Sequence, residues 1–303
     1  MSIRIDCGRL PVSSTVKDMS FERPRFPWKL ADGELPLGGR TLLMGVIDLS
    51  PESHPERPDP DRILDRAIAL EEQGADLLDV TAVPLAPSGR RIESHEERAR
   101  LVPSLRKVIA RLEAPVVVTT YNSATAERVL ELGAAVIRDP TGLSLDRGMG
   151  AVVNAVNAGL ILGHATGPPQ TWKGSRSVAG LMELMQADMT SAIARARRAS
   201  IEKKRIVLDP GFGIGKHGAQ NYEMLEHFRA FHKLMRPVMV SPSRLPFLTD
   251  TIRSSEDAFE TAAAAFAAFA VRQGAHMVRT DTIEKTAAAI RIGESLLDLS
   301  IPR

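Results

Sequence analysis

The 303-residue chain is predicted to fold as an α/β protein, a single (β/α)8 TIM barrel behind an N-terminal extension, on three observations. Eight short aliphatic or β-branched runs alternate with longer helical stretches, the alternation that builds a parallel sheet wrapped in helices. Several runs, such as VVVTT at 116–120 and LILGH at 160–164, are apolar on consecutive residues. Strands covered on both faces need that pattern, whereas strands of an antiparallel sandwich alternate. Gly74-Ala75, Gly133-Ala134 and Gly274-Ala275 each end a helical pattern and open a strand, with glycine where a helix stops in a left-handed turn.

In chain order, residues 1–35 are rich in proline and charge without a clear period, and read as an extension that wraps or frays before the first strand. The barrel domain is assigned to 36–303, with strands expected at 41–49, 75–83, 115–121, 134–139, 159–164, 205–209, 237–241 and 275–279. The helix expected over 59–73 puts Ile63, Ala67 and Leu70 on one face, and 260–273 is an alanine-rich helix suited to close packing. Two longer irregular stretches, 50–60 and 84–91, follow the first two strands, where loops rise from the C-terminal face of a barrel, the face that carries chemistry.

Composition narrows the function classes. With 44% hydrophobic and 25% charged residues the chain is neither disordered nor fibrous. A formal net charge of +2 lacks the dense positive field of a nucleic-acid binder, and aromatics at 4% supply no stacking platform for single strands. No apolar run approaches the roughly 20 residues of a membrane helix, so neither a membrane nor a nucleic acid is expected as a partner. Cys7 is the sole cysteine, which excludes an intrachain disulfide and fits a reducing cytoplasm.

The polar residues that end strands are the candidates for function: Asp48, Asp79, Thr119, Arg138, Asp139, His164, Asp209, Ser243, Arg244, Arg279 and Asp281. They converge at one mouth in a barrel. The sharpest motif is Leu208-Asp209-Pro210-Gly211-Phe212-Gly213-Ile214-Gly215-Lys216, a strand delivering a carboxylate into a glycine-rich loop that ends in lysine. Its spacing matches neither the P-loop nor the dinucleotide fingerprint. His164 reads as a hydrogen-bonded strand-end histidine and Trp172 as a packing residue.

This motif resembles the LDPG(I/F)GFGK segment of the dihydropteroate synthases, and the resemblance runs on in order over roughly residues 40–297. The segment 44–53 (MGVIDLSPES) is similar to the family's MGVLNVTPDSF, 74–80 (GADLLDV) to its GADIIDVGGEST, and 163–171 (GHATGPPQT) to its MHMRGTPQTM. Ser243-Arg244 falls where the family has SRK, and 274–279 (GAHMVR) leads into its RVHDV.

The resemblance implies a transferase that condenses a pterin pyrophosphate with p-aminobenzoate in folate synthesis, assisted by magnesium, in a homodimer. It implies catalytic roles for Asp209, Lys216 and Arg279, substrate contacts from Thr119, Arg138, Asp209, Lys216, Ser243, Arg244, Arg279 and Asp281, and a magnesium ligand at Asp48. The chain departs from the pattern at several of these positions. The family's SVDT aspartate, IND asparagine and SRK lysine are here Thr119, Arg138 and Leu245, and its second-loop Thr-Arg pair aligns with Leu85 and Ala86, with Pro87 retained. A buried polar edge left without a partner costs roughly 1–3 kcal/mol per group. The alternative expectation is therefore a diverged member that lacks this activity and binds a different small molecule or a partner protein.

Overall fold

The computed structural model describes residues 21–85, 90–174, 180–216, 218–242, 247–248 and 256–298. The chain enters through an antiparallel hairpin, β1 (Phe26–Leu30) and β2 (Gly33–Leu37). Each of the eight predicted strand regions then holds a strand: β3 (Leu42–Asp48), β4 (Leu77–Thr81), β5 (Val116–Thr119), β6 (Val136–Asp139), β7 (Gly159–Gly163), β8 (Ile206–Asp209), β9 (Met239–Val240) and β10 (Met277–Thr280). All pair in parallel, in the order β8-β7-β6-β5-β4-β3-β10-β9. A parallel bridge between Leu208 and Val238, beside a 2.9 Å hydrogen bond from the Leu208 amide to the Pro237 carbonyl, brings β8 against the start of β9 and closes the ring.

The helices are α1 (Pro60–Glu72), α2 (Ser94–Arg111), α3 (Ser123–Glu131), α4 (Met149–Ala155), α5 (Leu181–Arg198), α6 (Gly218–Glu226), α7 (Glu256–Arg272) and α8 (Ile283–Asp298). Local chemistry sets their ends. Asp59 caps α1 by accepting from the Asp61 amide at 3.0 Å, with Pro60 in the first turn where its missing N–H costs nothing. Gly74, Gly133 and Gly274 take φ of 98°, 107° and 97°, as their places at helix ends require.

Strand periodicity divides the residues between two cores. Leu43, Ile47, Leu78, Val80, Val118, Ile137, Leu160, Leu208, Val240 and Val278 pack outward with the helices. The alternate set, Leu42, Met44, Leu77, Val117, Val136, Ile161, Val207, Met239 and Met277, fills the barrel interior together with Trp28, Leu30 and Leu37 of the hairpin.

The described part of the N-terminal extension is thus a plug. Trp28 is fully buried and its indole N–H donates to the Arg205 carbonyl at 2.9 Å, while a side chain at Gly159 would collide with Leu30 at 2.7 Å. A boundary after residue 35 falls inside β2.

One buried carboxylate lies in the first turn of α2. Glu97 of α2 accepts from Asn122 Nδ2 and Thr125 Oγ1, both at 2.7 Å. Burial, partly offset by these bonds, pushes its pKa up from 4.5 to about 7. The folded chain therefore holds a proton that the unfolded chain has released, and the associated stabilisation is complete below pH 4.5 and lost as pH rises through 7. Glu97→Gln, neutral throughout, is expected to flatten that slope, gaining about 3 kcal/mol on the parent between pH 4 and pH 8 in urea unfolding. Parallel pH profiles for the two proteins count against a protonated Glu97.

Candidate active site

Two residues beyond each apolar interior position, six of the strands turn polar. Leu77 is followed by Asp79, Val117 by Thr119, Val136 by Arg138, Val207 by Asp209, Met239 by Ser241 and Met277 by Arg279. The parity of a strand puts these second residues on the same inward face, at the C-terminal end of the barrel, and all six are buried.

They form one connected chain of charge and hydroxyl. Arg138 donates to Asp209 Oδ2 from Nε at 2.8 Å and from Nη2 at 2.5 Å, and to Thr119 Oγ1 from Nη1 at 3.4 Å. The Thr119 hydroxyl lies 2.8 Å from both oxygens of Asp79. Asp79 Oδ2 also accepts from Arg279 Nε at 2.5 Å, and Arg279 Nη1 reaches Ser241 Oγ at 3.3 Å. Both carboxylates are 0% exposed. Each is buried with a guanidinium held against it.

Above this floor opens a cleft of about 740 Å³. Arg138, Arg279 and Ser241 line its base, Asp48, Arg62, Arg66 and Asp281 its polar flank, and Val46, Val83, Leu85, Phe212 and Ile214 its apolar walls. Asp48 ends β3 and accepts from the Ser50 amide at 2.8 Å and the Ser53 hydroxyl at 2.7 Å, so its loop is folded around its carboxylate. Arg66 Nη2 donates to the Asp281 carbonyl at 2.6 Å.

Thr119, Arg138, Asp209 and Arg279 are thus brought together, and Asp48 and Asp281 flank the same cleft. Thr119, Asp209 and Lys216, all expected at the substrate, are not among the residues that line this cleft. Asp209 lies behind Arg138. The Lys216 ammonium, 7% exposed, donates to the carbonyls of Gly211 at 2.8 Å and of His164 and Ile214 at 3.1 Å each. Those three acceptors match its three N–H donors, so it pins the glycine loop. Burial, opposed by Asp209 and Asp188, pulls its pKa down to about 7. The loop needs that close packing. At φ +69° Gly211 brings its backbone so near β7 that a Cβ would lie 1.9 Å from the His164 carbonyl oxygen.

His164 is hydrogen-bonded, as expected, with Nε2 3.1 Å from Asp188 Oδ2; burial and then Lys216 hold its pKa below the usual histidine range. Trp172 is buried beside Tyr121 and Ile214, and its indole donates to the Gly167 carbonyl at 2.9 Å. Ser243, Arg244, Leu245, Ala86 and Pro87 lie outside the described residues. Asp79 stands among the strand-end candidates but is given no site role from the sequence, and Ser241 is not singled out at all. The available signal is parity, since each stands two residues beyond an apolar inward position.

No group of three or more His, Cys, Asp or Glu side chains that could hold a metal ion occurs among the described residues. None of the described helices is long and apolar enough to cross a membrane.

A closed parallel barrel whose glycine-bordered mouth gathers arginines and carboxylates defines a (β/α)8 protein with a candidate ligand site at the C-terminal end of its strands. Residues 44–281 match the family model described as pterin binding enzyme, and the chain belongs to that family. It is 27% identical over 260 residues to the dihydropteroate synthase of Escherichia coli strain K12, covering 84% of this chain and 91% of that protein. It is 28% identical over 274 residues to a probable bifunctional folylpolyglutamate synthase/dihydropteroate synthase of Halobacterium salinarum, covering 89% of this chain but only 32% of that longer protein. Among solved structures, the dihydropteroate synthase of Clostridium difficile, crystallised in the presence of pteroic acid, superposes with a TM-score of 0.80 at 26% identity, over 86% of this chain and 98% of that one. The chain is a dihydropteroate synthase-like transferase.

Proposed function

We propose that the transfer takes place in the cleft over Arg138 and Arg279, where a pterin-class pyrophosphate is condensed with p-aminobenzoate. The carrying observation is a single cleft that joins apolar walls, a cationic floor and a flank of Arg62, Arg66 and Asp48. The apolar walls take the ring. The arginines offset the charge that develops as the carbon–oxygen bond to pyrophosphate breaks, and the aryl amine nitrogen then forms the new bond to that carbon and loses its proton to solvent. Orientation and charge stabilisation supply the rate, without a strong acid or base.

Asp48 fits a magnesium ion as its one carboxylate ligand. Each of its oxygens accepts one bond from its loop, which leaves a lone pair on each, and hard cations of this kind take one or two carboxylates with phosphate oxygens and water completing the shell. Bound there, the ion would neutralise the leaving pyrophosphate. Ser243 and Arg244 are assigned to the same anion. The reading includes a cytoplasmic, homodimeric protein, the second copy covering α7 and α8, where Phe269, Ile292 and Leu296 are exposed. Light scattering at twice the chain mass is the expected result for that assembly.

The test is pyrophosphate release from purified protein with magnesium, pterin pyrophosphate and p-aminobenzoate. Turnover is expected, and Asp48→Asn is expected to lower it at least about tenfold with an unchanged melting temperature. The Arg138–Asp209 pair favours a second reading, a diverged member without this activity that binds another small molecule or a partner protein. Absence of pyrophosphate release at high protein concentration selects it.

A further inference from the structure

The loop between β3 and α1 has few donors of its own. Its sequence at 49–59, LSPESHPERPD, includes Pro51, Pro55 and Pro58, none of which carries a backbone N–H. The Ser53 and His54 amides donate to the Ser50 carbonyl at 3.1 and 2.8 Å, which folds the start of the loop. The rest is held from α2. Arg100 Nη1 donates to the His54 carbonyl at 2.8 Å, to that of Glu56 at 3.2 Å and to that of Leu49 at 3.4 Å. Arg100 is buried, and its Nε faces Glu96 Oε1 at 3.8 Å, while Glu96 accepts in turn from Arg90 at 2.9 Å. Ser50, Glu52, Ser53 and His54 of this loop line the cleft, whereas Arg100 is not among the lining residues.

We propose that Arg100 is a positioning residue for the transfer, setting from outside the cleft the path of residues 49–56 and through it the placement of Asp48, Ser53 and His54; this rests on the transferase reading above. Asp48 depends on the loop directly, since its two oxygens accept from the Ser50 amide and the Ser53 hydroxyl. A shifted loop therefore re-aims the carboxylate at the cleft. Misplacing a group at the reacting bond by about 1 Å costs up to about a hundredfold in rate, even when the substitution lies away from the chemistry. A rigid, permanently charged donor suits this task, because carbonyls well apart along the chain must all be drawn to one point.

The experiment compares the full chain with Arg100→Met and Arg100→Lys. Arg98→Met is the control, since Arg98 of the same helix donates to the Ala124 carbonyl instead. Arg100→Met keeps an apolar stem and removes the donors. In it the Ser50, Ser53 and His54 amides are expected to exchange hydrogen at least about tenfold faster, with the amides of β4 and β5 unchanged. The kcat for pyrophosphate release is expected to fall at least about tenfold while KM for p-aminobenzoate stays within about threefold, a split that a general loss of stability does not produce. Arg100→Lys, a cation without the planar fork, is expected to lie between parent and Arg100→Met in both readouts, and Arg98→Met to match the parent. A folded Arg100→Met with parent-like exchange at these amides overturns the proposal, as does faster exchange with kcat intact or an equal effect in Arg98→Met. Where Arg100→Met fails to fold, an Arg100→Lys that matches the parent in both readouts overturns it. If the parent releases no pyrophosphate, the transferase reading falls and the positioning role with it. Turnover by the parent that the Arg100 variants leave unchanged overturns the proposal alone.

Discussion

Arg138→Ala is expected to destabilise the fold by about 3–5 kcal/mol, the cost of leaving a buried carboxylate without its partner. Asp209 has no exposure and lies behind Arg138, and the Gly211 amide alone offsets little of its charge. Urea unfolding at pH 7 measures the loss. A double replacement, Arg138→Met with Asp209→Leu, is expected to recover most of it, because apolar groups of similar volume avoid desolvating two ions. The same double variant is expected to lose ligand binding, which separates what the pair does for the site from what it does for stability. A single-variant loss under about 1 kcal/mol, the range of exposed pairs, shows that water reaches Asp209 and that Arg138 is not locked.

Trp28→Ala is expected to cost about as much, roughly 3–5 kcal/mol, by a different route. The indole is fully buried among Leu42, Leu77, Val136, Met239 and other inward residues, so its removal opens a cavity at the base of the barrel and strands the Arg205 carbonyl. The polar layer lies one step of the strand period above this cluster and is supported by it. The expected signature is a lower urea midpoint together with weaker ligand binding, although Trp28 touches no part of the cleft. A loss of stability with ligand affinity unchanged in the folded protein shows that the two layers are uncoupled.

The eight strands are legible from sequence because a strand buried on both faces is a continuous apolar run, and their order follows from right-handed βα repetition. The hairpin is not. Its segment, FPWKLADGELPL at 26–37, alternates only weakly and carries two prolines; its apolar residues acquire meaning only against the interior of a barrel formed by the rest of the chain. The mouth is legible in part. Strand ends name Thr119, Arg138, Asp209 and Arg279, but not which charge meets which.

Arg138 and Asp209 are 71 residues apart, and Asp79 and Arg279 are 200 apart. No local pattern links them, because each pairing is set by the stagger of strands around a closed ring. The sequence by itself determined the barrel, its eight strand regions and the strand ends at which polar groups gather. Only closure of the barrel decided that Arg138 lies across Asp209, that Lys216 turns back onto its own loop, and that the floor presents donors to a ligand. Periodicity is a property of neighbouring residues, whereas the sharing of lone pairs and protons depends on distances that exist only once the ring is closed.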